Sequence, residues 1–122
     1  MNKVLIVDDE PNILISLEFL LTKGGFKVFV ARNGAEALDI IKRELPAIVV
    51  LDIMMPDVDG YEVCQFIKGT PEPEHIKVVF LSAKSKEEDI AKGYALGADL
   101  YLTKPFSTRN LMKEIKSLNE VI

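Results

Sequence analysis

The four residues Ile48-Val49-Val50-Leu51 carry no polar side chain, and a carboxylate, Asp52, follows them directly. A strand without polar alternation is buried on both faces, the condition of a central strand in a parallel sheet with helices on either side. Such a strand delivers the residue after it to the carboxyl edge of the sheet, where open α/β folds bind their ligands. The rest of the chain has to be compatible with that layered arrangement.

Four further apolar runs read as strands, at residues 4–7, 26–31, 77–81 and 99–103. Helical periods fill the spaces between them. Pro11 suits a first helical position, Ile13, Leu14, Leu17, Leu20 and Leu21 share one face, and Gly24-Gly25 ends the helix. Asn33 with Glu36 forms a capping box for a helix that turns Leu38, Ile41 and Leu45 inward and stops before Pro46. A shorter helix from Gly60 to Lys68 sets Val63, Cys64 and Ile67 on one side. Ser85 with Glu88 predicts a second capping box, opening a helix through Ile90, Ala91, Tyr94 and Ala95 that Gly97 closes. The last helix runs from Ser107 to Leu118 with Leu111, Ile115 and Leu118 inward. Strict alternation of five strands with five helices predicts right-handed crossovers and an α/β parallel sheet. Five strands fit the flavodoxin-like order 2-1-3-4-5, which makes strands 1 and 3 neighbours at the switch point.

A chain of 122 residues suffices for one domain, taken as residues 1–122. The formal net charge of −4 argues against direct nucleic-acid binding, which calls for a basic face. A single cysteine, Cys64, excludes an internal disulfide framework and fits a reducing compartment; on the inward side of its helix it reads as a buried, inert thiol. No apolar run reaches membrane-spanning length, and Met1-Asn2-Lys3 leads straight into the first strand, so the expectation is a cytoplasmic protein that begins at its natural N-terminus. The only histidine, His75, falls in the polar loop before strand 4 and reads as a surface residue.

The chemistry collects at the carboxyl edge. Strand 1 delivers Asp8 and Asp9, strand 3 Asp52, strand 4 Ser82 and strand 5 Lys104. Each alone has an ordinary explanation: an aspartate in a turn, an acidic pair near a helix N-terminus, a solvated lysine. Arrival at one edge from four strands, in chain order, gives them a joint meaning. Three converging carboxylates resist ionisation unless a cation joins them, and an all-oxygen site suits Mg²⁺. A hydroxyl and an ammonium on the other flank suit phosphoryl oxygens, so Asp52 reads as a nucleophile that takes up a phosphoryl group.

These motifs, VLIVDDE at strand 1, LDIMMPDVDG at strand 3, FLSA at strand 4 and GADLYLTKPF through strand 5, resemble the receiver domain of bacterial two-component response regulators, including the single-domain chemotaxis type. The resemblance covers essentially the whole chain. It implies that Asp52 accepts phosphate from a histidine kinase or phosphotransfer protein. Asp9, Asp52 and the backbone carbonyl of Met54 would ligate Mg²⁺, with Asp8 acting largely through a metal-bound water. Ser82 and Lys104 would contact the phosphoryl oxygens, and Tyr101 would turn inward when Ser82 moves toward the phosphate. The Lys104–Pro105 bond is expected to be cis. An output face on helix 4, strand 5 and helix 5, including Lys86, Tyr101 and Lys104, would serve a downstream effector or a fused output domain. Met54 and Lys84 stand where phosphoryl lifetime is tuned. The resemblance implies a phosphoacceptor that assists its own phosphorylation and dephosphorylation, not an enzyme, and a monomer or weak phosphorylation-dependent dimer. Receivers fused to winged-helix DNA-binding domains resemble an Asp-Asp pair where this chain has Asp99-Leu100, and a Glu where it has Asn110. Those departures favour an output that does not bind DNA.

The rival class is an aspartate-nucleophile phosphohydrolase of haloacid-dehalogenase type, which also sets Asp, Ser or Thr, Lys and Mg²⁺ on a parallel sheet. That family resembles a pattern with a second Asp two residues after the nucleophile; here the position is Met54, which cannot move a proton. Flavin binding is disfavoured by the acidic loop after strand 1, and no Walker-type glycine loop is present.

Overall fold

In the computed structural model, which describes residues 2–69 and 76–120, strand and helix alternate throughout. The elements are β1 (Lys3–Val7), α1 (Pro11–Lys23), β2 (Lys27–Ala31), α2 (Gly34–Glu44), β3 (Ile48–Leu51), α3 (Gly60–Gly69), β4 (Lys77–Ser82), α4 (Glu87–Ala95), β5 (Leu100–Thr103) and α5 (Thr108–Glu120). All strand pairs are parallel and the order is β2-β1-β3-β4-β5, the flavodoxin-like order expected from the alternation. His75 lies outside the described residues. Among the described residues no helix is long and apolar enough to cross a membrane.

The two-residue period of the strands sorts the core into two layers. Leu5, Val7, Val49, Leu51, Val78 and Phe80 face α2, α3 and α4, whereas Val4, Ile6, Ile48, Val50, Val79 and Leu81 face α1 and α5. That is why the Ile48–Leu51 run has no polar residue: both of its faces are inside. The same register sets the site, since Val7 pairs with Leu51 and Leu51 with Phe80. Asp8 and Asp52 therefore leave neighbouring strands at one level, and the Asp52 N–H donates to the Val7 carbonyl at 3.0 Å.

Helix ends follow their sequence cues with one exception. Asn33 caps α2 by accepting the Glu36 N–H at 2.9 Å, while the Glu36 carboxylate reaches back to the Arg32 N–H at 2.9 Å. Ser107 caps α5 by accepting the Asn110 N–H at 3.2 Å. The capping box expected at Ser85 does not form: α4 starts one residue later, with Lys86 at the cap and no side-chain hydrogen bond there. Glu87, Glu88 and Asp89 fill that first turn instead, so charge on the helix dipole replaces the cap. The inward face of α4 also differs from expectation. Ala91, Tyr94 and Ala95 are exposed, Ile90 is half-buried, and the buried residue is Gly93. A β-carbon there would sit 2.9 Å from the Tyr101 ring and 3.1 Å from the Phe80 ring, so the helix approaches the sheet only because that carbon is missing.

Two positions at helix ends give testable predictions. Leu45, expected on the inward face, instead ends α2 in the left-handed region, at φ 48°, which swings it out with 55 % of its surface exposed. A side chain in that conformation costs about 1 kcal/mol relative to glycine and here gains little packing in return. Leu45→Gly is expected to raise stability by about 0.5–1 kcal/mol in a denaturant titration. Gly60 closes the loop after Asp52: its N–H donates to the Ile53 carbonyl at 2.9 Å. A β-carbon on Gly60 would run into the Asp52 carbonyl oxygen and lie 2.7 Å from the Ile53 α-carbon. Both obstacles are main chain and cannot rotate away, so Gly60→Ala is expected to cost about 2 kcal/mol in thermal unfolding and to shift Asp52 itself.

Candidate functional site

Each acid arrives at the edge for a local reason. Asp8 and Asp52 continue buried strands past their last residues and are themselves buried, whereas Asp9 turns out to solvent. Carboxylate oxygens of all three come within 4.8 Å of one another. Asp8 Oδ1 accepts the Glu10 N–H at 3.0 Å, and Asp52 Oδ1 accepts the Ile53 N–H at 2.8 Å. Each buried acid thus has one oxygen fixed by main chain.

Lys104 joins them from β5. Its N–H donates to the Ser82 carbonyl at 2.8 Å, and the Lys104–Pro105 bond is cis, as expected. Its ammonium lies 2.9 Å from Asp8 Oδ2, 3.4 Å from Glu10 Oε1 and 3.8 Å from Asp52 Oδ2. The cation expected on the flank away from the strand 1 acids is hydrogen-bonded to one of them, drawn by their combined charge.

The fields follow from this packing. Burial, and then the Asp8 charge, push the Asp52 carboxyl up to about 6, against the pull of Lys104 and the Ile53 N–H. Burial works to lower Lys104, but its hydrogen bond to Asp8 and the charges of Asp52, Asp8 and Glu10 outweigh it and hold the ammonium above its ordinary value. Asp52 therefore favours the fold only while protonated. Its contribution is complete below the ordinary value of 3.8 and drains away as pH rises through about 6.

Ser82 is fully buried and its Oγ accepts the Lys84 N–H at 3.1 Å. Tyr101 is inward: its hydroxyl donates to the Lys84 carbonyl at 2.6 Å, and burial with the neighbouring Tyr61 phenol pushes it up to about 12. The Phe80 ring stands between Tyr61 and Tyr101, with centroids 5.6 and 5.8 Å away. The Met54 side chain is 60 % exposed beside the site. Cys64 is buried, its Sγ 3.7 Å from the Leu96 carbonyl, and burial pushes the thiol up to about 11, which fits an inert group.

Sequence reasoning passed over three residues of this site. Glu10 directly follows the acidic pair and could have been found by adjacency, but its contact with Lys104 spans 94 positions. Gly60 and Gly93 carry no chemistry and show their role only through what lies against them. Asp99, the acid left of the expected dimer pair, is occupied within the chain. It accepts the Lys68 ammonium at 2.9 Å and the Val78 N–H at 2.8 Å, with Lys77 3.9 Å away.

The donor set is three hard carboxylates, two of them buried and one open to water, which is the chemistry that holds a small divalent cation.

Known proteins share the family and the fold. The sequence matches the response regulator receiver domain over residues 4–116. The fold superposes on the signal receiver domain of a signal transduction histidine kinase from Syntrophus aciditrophicus with a TM-score of 0.92 at 31 % identity, covering 100 % of this chain and 92 % of that one. A CheY-like response regulator receiver domain protein from Methanospirillum hungatei JF-1 gives 0.88 at 31 % identity, covering 98 % and 95 %. The BeF3-activated DrrB receiver domain gives 0.91 at 37 % identity, covering 98 % of both chains. With the acids, the buried serine and the lysine of the sheet edge in the same order as the motifs, the chain belongs to the response regulator receiver domain family.

Proposed function

We propose that this domain is a phosphorylation-dependent switch in which Asp52 takes a phosphoryl group from a sensor histidine kinase or a histidine phosphotransfer protein. The observation that carries this reading is one cluster: Asp8, Asp9 and Asp52 oxygens within 4.8 Å, with the Lys104 ammonium 3.8 Å from Asp52 Oδ2. A carboxylate oxygen of Asp52 forms the new bond to phosphorus, the bond from phosphorus to the donor breaks, and the donor leaves with that electron pair. Oδ1 is engaged by the Ile53 N–H, which leaves Oδ2, on the Lys104 side, as the attacking atom. A carboxyl near 6 is mostly ionised at neutral pH and so is competent to attack.

Mg²⁺ fits the donor set and would be held by Asp9, Asp52 and the Met54 carbonyl, with Asp8 helping to hold it. When bound, it would neutralise charge on the transferring group. Lys104, bonded to Asp8 before transfer, turns to pair with the phosphoryl oxygens, and the Ser82 hydroxyl donates to them. Ser82 also holds the Lys84 N–H, and the Lys84 carbonyl holds Tyr101, so a movement of Ser82 reaches Tyr101 through two hydrogen bonds. That path supports an output face on α4, β5 and α5, including Lys86, Tyr101 and Lys104, which serves a downstream effector or a fused output domain. With Asp99 held by Lys68 and Val78, pairing of that face through Asp99 is disfavoured, in keeping with a monomer or a weak dimer. The reading places the domain in the cytoplasm, as a phosphoacceptor that assists its own phosphorylation and dephosphorylation.

Incubation with Mg²⁺ and a small acyl phosphate should give a single phosphoryl adduct on the peptide containing Asp52. Sustained phosphate release from phosphomonoesters would instead support the hydrolase class and overturn the reading.

A further inference from the structure

Helix α4 is seated on the core by the half-buried Ile90 and by Gly93. Its one fully buried residue is Gly93, and Tyr94 is 45 % exposed. Polar contacts act at both of its ends. At the first turn the Tyr61 hydroxyl donates to the Asp89 carbonyl at 3.2 Å, and further along the helix the Lys92 ammonium lies 4.4 Å from the centre of the same ring. At the last turn Tyr94 reaches strand β5, where its hydroxyl accepts the main-chain N–H of Tyr101 at 3.1 Å.

That second contact is the unusual one. β5 is an edge strand, paired only with β4, so N–H groups on its free side have no neighbouring strand to accept them. A helix side chain meets one of these donors, at the residue whose own hydroxyl is bonded to the Lys84 carbonyl. Tyr101 is thus held by its main chain to the end of α4 and by its phenol to the segment after Ser82.

We propose that Tyr94 is a positioning residue that ties the seat of α4 to the inward place of Tyr101. Displacing α4 removes the acceptor from the Tyr101 N–H, and moving Tyr101 outward pulls on the last turn of α4. The hydroxyl carries the tie, because the ring itself is half in solvent. Its use in signalling rests on the phosphorylation-switch reading; its existence does not.

Tyr94→Phe removes the hydroxyl and keeps the ring. Amide hydrogen exchange on the whole chain, without metal or phosphate analogue, is expected to show the Tyr101 amide exchanging about tenfold faster and α4 amides several-fold faster, with β1 and β3 amides unchanged. Tyr61→Phe should loosen the first turn of α4 and leave the Tyr101 amide as it was. An unchanged Tyr101 amide in Tyr94→Phe overturns the tie. A second arm titrates both proteins with beryllofluoride in Mg²⁺ and follows the α4 and β5 amide signals. The variant should need about three to ten times more analogue to reach the bound spectrum, the loss of one hydrogen bond that favours the inward state. Equal requirements overturn the coupling. A wild-type protein that ignores beryllofluoride overturns the switch reading, and the exchange arm then decides Tyr94 by itself.

Discussion

Asp52→Asn is expected to abolish phosphoryl uptake and, in the same protein, to raise metal-free stability at pH 7 by about 1–2 kcal/mol. The two effects share a cause. Asp52 is buried beside Asp8, and its carboxyl is pushed up to about 6, so holding it ionised at neutral pH works against the fold. Asparagine keeps an oxygen for the Ile53 N–H and removes the charge. In chelator at pH 7 the variant should melt roughly 4–8 °C higher than the wild type. At pH 4 the difference should nearly vanish, because the wild-type carboxyl is then protonated in the folded chain as well. Mg²⁺ should stabilise the wild type more than the variant, since binding to the folded form adds stability in proportion to affinity. A variant no more stable than wild type at pH 7 would show that Asp52 is not a strained charge.

Lys104→Ala is expected to act in the opposite direction. The ammonium is the one cation within hydrogen-bonding distance of Asp8 among the described residues, and Asp8 is almost wholly buried. Removing one member of a buried pair leaves the other charge without compensation, which here should cost about 3 kcal/mol in chelator. Asp52 should then titrate higher still, because the cation that opposes its upward shift is gone. Added Mg²⁺ should recover more stability in this variant than in wild type, since metal no longer competes with the ammonium for the carboxylates. Thermal melts with and without Mg²⁺ check both parts. A loss of stability that Mg²⁺ repairs no better than in wild type would mean that Lys104 acts through packing alone. Labelling separates the roles further: the lysine variant should still be labelled on Asp52 while the α4 and β5 amide response to the label is lost.

Strand and helix order, and the residues that each strand carries to the carboxyl edge, were legible because both depend on local period. Ile48–Leu51 reads as a doubly buried strand from four side chains, and the two core layers that sandwich it follow. Asp8, Asp9, Asp52, Ser82 and Lys104 could be placed at one edge because parallel strands all point their ends the same way. The start of α4 was less legible. Ser85 and Glu88 have capping-box spacing, but three consecutive acids make a start one residue later equally serviceable, and the chain takes it. The inward face of α4 was misread for a related reason: periodicity counts apolar side chains, and this helix docks through a residue that has none.

What the sequence by itself determined, then, is the alternation, the sheet order that alternation favours, and the roster of groups at the edge, all set by neighbours a few residues apart. The tertiary structure alone decided how those groups meet. Lys104 bonds Asp8 across 96 positions, Gly60 folds the acidic loop back on the Asp52 main chain, and Tyr94 finds the free N–H of an edge strand. It also decided that Asp52 titrates near 6, because burial and field are sums over residues brought close only by folding.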